Sequence, residues 1–311
     1  VDHYFKRYGD LDLQRRMVSD RRRTASFARA LAAVVRPGDV VLDVGAGTGI
    51  LSMLAARAGA ARVYALEQAE IAEAARLLVA ENGLADRVEV LVGEAGARSL
   101  PEPVDVLVSE WLGHLALVEG MLDVVLLARD RHLRPGGRLI PATVEVHLAP
   151  VDDPVLYAHD GPGFWREPVE GLDFSLLEAL ELAQARATIL RVEPAALLAR
   201  GATLARLELA HATPTTPWQR GRCAFEARRD GVLSGFVGWF VAELAPGIVL
   251  DTGPFEPETH WSQTYFPFPP RPVRRGERLE LEHRLARDPA DPRALRLELG
   301  LGAVTLDYRV E

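Results

Sequence analysis

The 311-residue sequence contains a single cysteine, Cys223. That excludes an internal disulfide framework and any cysteine-rich zinc site, and it suits a reducing compartment. No apolar run reaches the ~20 residues that cross a bilayer. No basic, hydrophobic, small-residue signal opens the chain either. The expectation is a soluble, cytoplasmic protein with no membrane partner, and the opening Val1 is compatible with removal of upstream residues. Positive charge is also short: 36 Lys and Arg against 44 Asp and Glu leave a formal charge of −8. The global positive field of a nucleic-acid binder is therefore missing, and a cationic substrate is the more compatible partner. The chain shows no internal repeat, no low-complexity tract and no candidate metal site.

What is present suffices for a sizeable core: 48% of residues are hydrophobic and 26% charged, at a length above the usual single domain. From Asp39 to about Ile140 short β-rich runs alternate with helical ones, the pattern of an α/β doubly wound parallel sheet. VVLDV (Val40 to Val44), RVYALE (Arg62 to Glu67), VEVLVGE (Val88 to Glu94) and VDVLVSE (Val104 to Glu110) read as strands. Helices are expected over Ile50 to Gly59, Ala69 to Gly83 and Val118 to His132, and Arg134-Pro135-Gly136-Gly137 reads as a turn. After Pro141 proline and glycine become frequent. Strand candidates at Thr203 to His211, Arg222 to Arg229, Val232 to Leu244, Arg278 to Leu285 and Ala303 to Val310 point to a mainly antiparallel second domain. One segment, Gly163 to Leu190, carries leucines at helical spacing that would be odd inside a compact β-barrel.

VLDVGAGTGILS sets Asp43, Gly45, Gly47 and Gly49 between a buried strand and a helix. Glycine permits the tight turn and a close approach of ligand to backbone, while the helix start offers free N–H groups. The G-x-G-x-G spacing, with an aspartate two residues ahead, resembles the S-adenosylmethionine loop of class I methyltransferases. Glu67 ends the next strand, where a carboxylate can accept both ribose hydroxyls. Glu94, closing the third strand, is grouped with these cofactor residues.

SEWLGHLALVEGML (Ser109 to Leu122) sets Glu110 and Glu119 nine residues apart in apolar surroundings. Glu110 falls at the carboxyl end of the fourth strand, where open α/β sheets bind ligands. Glu119 starts the following helix, so the intervening residues can fold back and bring both carboxylates to one pocket. Two such anions repel unless a cation lies between them, and a planar guanidinium with five N–H donors suits both.

This stretch resembles the double-glutamate loop of the protein arginine methyltransferases. YFKRYGDLDLQRRMVSDRRRT (Tyr4 to Thr24) is similar to that family's N-terminal cofactor-covering helices, and ETHWSQTYF (Glu258 to Phe266) to its threonine-histidine-tryptophan loop. The resemblance implies cofactor-covering helices over 1–36, a Rossmann-like S-adenosyl-L-methionine domain over 37–141 and a β-barrel substrate domain over 142–311. Within the last, a dimerisation arm at about 158–190 implies a homodimer. It further implies that Arg23 holds the carboxylate of the cofactor's methionine moiety, with Asp43 and Gly45 along that moiety and Glu67 on the ribose. Tyr4, Phe5 and Met17 would close over cofactor and arginine channel. Glu110 and Glu119 would grip the guanidinium, His260 would pair with Asp20 as domain tether and proton route, and Trp261 would wall the acceptor pocket beside Tyr8, His114 and Met121. His114 stands where many family members carry tyrosine, and Leu112 where methionine is common. Three readings follow: methylation of arginine in proteins or peptides, methylation of free arginine or another guanidino metabolite, and a silent cofactor-binding scaffold.

Overall fold

The computed structural model describes residues 10–95, 97–184 and 187–311. The described residues open on two helices, α1 (Leu11–Ser19) and α2 (Arg21–Val34). Asp20 separates them by leaving helical geometry at φ −68°, ψ 90°, while its side chain caps α2 by accepting the Arg23 N–H at 2.9 Å. α2 buries Phe27 and Leu31 completely, each contributing roughly 1.5–3 kcal/mol relative to exposure.

The next elements are β1 (Val40–Val44), α3 (Ile50–Arg57), β2 (Arg62–Glu67), α4 (Ile71–Glu81), β3 (Val88–Val92), β4 (Val104–Val108), α5 (Met121–His132) and β5 (Leu133–Ile140). All five strands pair in parallel, in the order β3-β2-β1-β4-β5. β1 and β4 are neighbours in the sheet although two strands separate them in the chain. The crossovers therefore diverge between them and leave a crevice at their carboxyl ends. The side chain of Ser109 donates to the Val44 carbonyl at 2.6 Å and locks those ends together.

Two expectations change here. The helix foreseen from Val118 begins at Met121, because Glu119 and Gly120 both sit at positive φ, +77° and +71°. Arg134 to Gly137 does not terminate an element. It is an excursion within β5, where pairing with β4 jumps from Leu133 to Arg138.

Beyond the cis Ile140–Pro141 bond lie β6 (Thr143–Val151), α6 (Pro154–His159), α7 (Leu176–Ala183), β7 (Thr188–Leu190), β8 (Ala202–Glu208), β9 (Arg220–Glu226), β10 (Gly231–Ala245), β11 (Ile248–Asp251), β12 (Gln263–Val273), β13 (Arg278–Arg287), β14 (Leu295–Leu301) and β15 (Val304–Val310). Their ladders form two antiparallel sheets, β7-β12-β10-β6-β8 with β11 on β10, and β15-β14-β13-β9. One apolar core runs from Phe27 and the parallel sheet through the Glu110–Glu119 loop to Phe236 and Tyr308. The helical segment after β6 departs from this packing: α7 has no buried residue.

Candidate active site

A cavity of about 870 Å³ opens at the crevice between β1 and β4 and is walled on its far side by the antiparallel domain. Gly45, Gly47, Glu67, Met17 and Arg23 line one part, and Glu110, His114, Glu119, Met121, His260 and Trp261 the other. Most residues singled out in the sequence thus converge. Asp43, Gly49 and Asp20 support the wall from behind it. Glu94 is exposed while its neighbours Gly93 and Ala95 line the cavity. Tyr4, Phe5 and Tyr8 lie outside the described residues.

The glycine loop is shaped by carboxylates beneath it. Glu67 accepts the N–H groups of Gly47 at 2.8 Å, Gln68 at 2.8 Å and Ala69 at 2.7 Å. Gly45 and Gly47 adopt φ +74° and +55°, and a β-carbon on Gly47 would lie 3.2 Å from the Gln14 side-chain oxygen. Asp43 is 1% exposed. The Ser52 hydroxyl donates to its Oδ2 at 2.6 Å, while its buried Oδ1 has no hydrogen-bond partner. Burial pushes the Asp43 carboxyl up to about 7, helped by the charge of Glu67 and opposed by Ser52.

Glu110 makes a buried charged contact in the cavity. Its Oε2 accepts Nε of Arg23 at 2.8 Å and Nη2 at 2.7 Å, and both side chains are 7% exposed. Its Oε1 accepts the Leu112 N–H at 3.1 Å. Within the basic run Arg21 to Arg23 only Arg21 is exposed. Arg22 reaches the Glu256 carboxylate and the Pro257 carbonyl, and Arg23 enters the cavity wall.

Between the two glutamates the chain folds back through a Gly113–Ala116 bridge. Leu112, Leu115, Leu117 and Val118 are buried and draw the loop between the domains. The consequence is local strain: Leu115, Ala116 and Glu119 have φ of +56°, +64° and +77°, and Ser262 in the facing loop has +50°. Left-handed geometry at residues with a β-carbon costs of order 1–3 kcal/mol each and persists only where the surroundings enforce it. The enforcement is visible. His114 Nδ1 lies 2.7 Å from the Trp261 carbonyl, and the Trp261 indole donates to the Leu112 carbonyl. Leu115 fills the space that a β-carbon on Gly238 would need. His114 thus clasps the two loops together.

Asp20 completes the arrangement. One oxygen caps α2, and the other accepts the His260 N–H at 2.9 Å and lies 2.8 Å from its Nδ1. Burial pushes the Asp20 carboxyl up, but hydrogen bonds from the His260 ring and from the Arg23 and His260 backbones outweigh it and hold the group down at about 2. An ionised acceptor requires that Nδ1 carry the hydrogen, which leaves Nε2 as the basic nitrogen.

Sequence reasoning missed Gln14, Ile189, Asp291, Arg293 and Ala294, all of which line the cavity. Gln14 carried one usable signal, a polar residue on the otherwise apolar face of a short helix. The others belong to turns and an edge strand whose placement depends on distant pairing. Among the described residues no cluster of His, Cys, Asp and Glu could hold a metal ion, and no helix is long and apolar enough to cross a membrane.

Comparison with known proteins gives two family matches that meet at Pro141. Residues 142–304 match the arginine methyltransferase oligomerization subdomain, and residues 22–140 match the ribosomal protein L11 methyltransferase family. The chain is 34% identical over 272 residues to protein arginine N-methyltransferase 6 of Xenopus laevis, covering 84% of this chain and 79% of that protein. Among solved structures it resembles the PRMT1 enzyme-prozyme heterotetrameric complex of Trypanosoma brucei with AdoHcy, with a TM-score of 0.91, 30% identity and coverage of 98% and 99% of the two chains. Protein arginine methyltransferase 10 of Arabidopsis thaliana, in an open conformation, matches with a TM-score of 0.88 and 30% identity over 99% of this chain and 100% of that one.

Proposed function

The chain belongs to the protein arginine N-methyltransferase family, and from that premise we propose how its cavity performs the family's reaction. The protein is an S-adenosylmethionine-dependent N-methyltransferase that acts on the terminal guanidino nitrogen of arginine in proteins or peptides. The observation that carries the site assignment is the Arg23–Glu110 pair. A carboxylate in this nearly dry wall already holds a guanidinium in charge-assisted hydrogen bonds, the interaction an acceptor arginine requires.

The cofactor suits the glycine-loop side of the cavity. The partnerless Oδ1 of Asp43 favours a nearby cation, and the bare backbone at Gly45 and Gly47 permits close approach. Glu67, whose oxygens already accept three backbone N–H groups, would offer its remaining lone pairs to the ribose hydroxyls, and Arg23, whose guanidinium has more donors than Glu110 takes, would hold the methionine carboxylate. When bound, S-adenosylmethionine supplies an electrophilic methyl group.

Glu110 and Glu119 orient the acceptor guanidinium and favour charge on its non-reacting nitrogens, leaving the reacting nitrogen's lone pair available. Free arginine has a pKa above ~12, so the acceptor arrives protonated and one proton must leave. His260 Nε2, oriented by Asp20, or the Glu119 carboxylate takes it in this reading. Alignment contributes more than basicity here, because the methylated product retains its charge. His114 and Trp261 hold the two loops in register, and Met17 and Met121 border the channel.

The assembly is a homodimer formed through residues 158–190. This reading is supported by Leu172, Leu176 and Leu180, exposed by 64%, 74% and 49%, and by the match to an oligomerization subdomain. Its setting is the cytoplasm, consistent with the lone free Cys223. The experiment is methyl transfer from labelled cofactor to arginine-rich peptides and to free arginine in parallel, with products identified by mass spectrometry. Label on peptide arginine supports the proposal; label on free arginine alone would replace it with the metabolite reading.

A further inference from the structure

The β13–β14 connection, residues 288–294, has no task in the mechanism above, yet Asp291, Arg293 and Ala294 line the same cavity. It is built around Asp288, which is 6% exposed. Asp288 Oδ1 accepts the N–H groups of Ala290 at 2.8 Å and Asp291 at 3.2 Å. Its Oδ2 faces Arg309 Nε at 3.2 Å and Arg296 Nη1 at 4.0 Å, so one carboxylate ties the turn to β15 and β14. Asp291 then accepts the Arg293 N–H at 3.0 Å, and the Asp288 N–H donates to the Ala294 carbonyl at 3.2 Å.

The outer carbonyls of this closed turn abut the glutamate loop. The Arg293 carbonyl accepts the Glu119 N–H at 2.6 Å, and the Pro292 carbonyl lies 3.2 Å from where a β-carbon on Gly120 would stand. Glu119 and Gly120 are the two residues held at φ +77° and +71°. A glutamate in that conformation relaxes unless its neighbours over-determine it, and the carboxylate swings with the backbone.

We propose that Asp288 is a positioning residue for Glu119: it shapes the β13–β14 turn so that the Arg293 carbonyl pins the Glu119 backbone and aims its carboxylate at the acceptor guanidinium. The inference rests on the reading of Glu119 as an acceptor-binding carboxylate. Asp288 itself touches neither acceptor nor cofactor in this scheme, and it acts through geometry alone.

The test is steady-state kinetics on an arginine-rich peptide, with cofactor affinity measured in parallel, for wild type, Asp288→Ala, Asp288→Asn, Glu119→Gln and the Asp288→Ala/Glu119→Gln double variant. Misplacement by about an ångström can lower rate by roughly a hundredfold. Asp288→Ala is expected to lose about ten- to a hundredfold in kcat with cofactor affinity unchanged. Asp288→Asn keeps an acceptor for both turn N–H groups but loses the tie to Arg309, and recovers part of the rate. In the Glu119→Gln background Asp288→Ala adds little further loss, because both changes act on one element.

An undiminished loss in that background, or cofactor affinity falling in step with kcat, overturns the proposal. Should Asp288→Ala not accumulate as folded protein, Arg309→Gln removes the Oδ2 partner instead and is expected to act in the same direction, with no change in kcat overturning the idea. If Glu119→Gln alone turns over like wild type, the reading of Glu119 fails and the inference with it. If Glu119→Gln is impaired while Asp288→Ala is not, only the positioning role fails.

Discussion

Replacing Glu110 by glutamine tests the cavity at a buried ion pair. The substitution keeps size and shape and removes only the charge and one acceptor oxygen. In the wild-type fold two N–H groups of Arg23 converge on one oxygen at 2.8 and 2.7 Å, with both side chains almost excluded from water. Breaking a buried ion pair by deleting one partner costs ~3–5 kcal/mol, while a hydrogen bond to a charged group contributes ~1.5–3 kcal/mol. Glutamine retains a carbonyl acceptor, so the lower range applies, and about 2–3 kcal/mol of stability should disappear without ligand. At ~2–4 °C per kcal/mol for a domain of 150–250 residues, the melting temperature falls by about 4–12 °C. S-adenosylhomocysteine should restore part of that stability, since its carboxylate offers Arg23 another anion. Turnover on an arginine peptide should drop by about ten- to a hundredfold, the effect of removing one charge-assisted hydrogen bond from the transition state. Differential scanning calorimetry with and without S-adenosylhomocysteine, beside initial rates, reads both effects. A variant that melts and turns over like wild type would refute the guanidinium reading of this wall.

Other perturbations probe separate parts of the molecule. Leu176→Glu with Leu180→Glu should convert the proposed dimer to a monomer in light scattering, because both leucines stand exposed on α7; an unchanged mass would remove the arm from the interface. Gly113→Ala should abolish most activity while sparing cofactor binding, since a β-carbon there would collide with Val118 and lie 3.2 Å from Glu119 Cγ; a wild-type rate would show the loop to be pliable. Asp43 predicts a pH effect of definite sign. Its folded carboxyl keeps its proton up to about 7, whereas an unfolded aspartate releases it near ~4. Its contribution to stability is therefore greatest below about pH 4 and is lost as pH rises towards 7. A cationic cofactor beside it favours the ionised form, so binding at about pH 6, below the folded value, should release a proton. Calorimetry in buffers of different ionisation enthalpy would detect it, and Asp43→Asn should abolish it; buffer-independent heat in the wild type would contradict the link.

What the sequence makes legible and what it hides differ by the range of the interactions involved. The parallel sheet is readable because buried strands and amphipathic helices leave their period in the chain. The crevice then follows from the strand order, which brings the ends of β1 and β4 together. Glycine spacing and two isolated glutamates in apolar surroundings are likewise local signals. β12 and β14 are harder to see: β12 carries four prolines in eleven residues, and Pro269 and Pro270 fall where its register with β10 shifts between Leu233 and Gly235. The basic run at Arg21 to Arg23 hides its division of labour until the partners Glu256 and Glu110, far along the chain, are known.

The feature most deeply hidden in the sequence is the backbone conformation at Glu119, held at φ +77° rather than in a helix start. The spacing of Glu119 from Glu110 suggests a helix start, but a helical Glu119 would carry its N–H into the first turn. In the fold that N–H goes to the Arg293 carbonyl, a partner that exists only after β13 and β14 have paired through Arg287 and Leu295. The backbone at Glu119 is therefore set by a hairpin of the second domain, whereas Glu110 is set by the sheet of the first. On the proposed reading of Glu110 and Glu119 as the acceptor's grip, closing it requires both domains to be folded and docked. A change that loosens the docking of the two domains should accordingly impair acceptor methylation before it impairs cofactor binding, because the glycine loop, Asp43 and Glu67 belong to the parallel sheet alone.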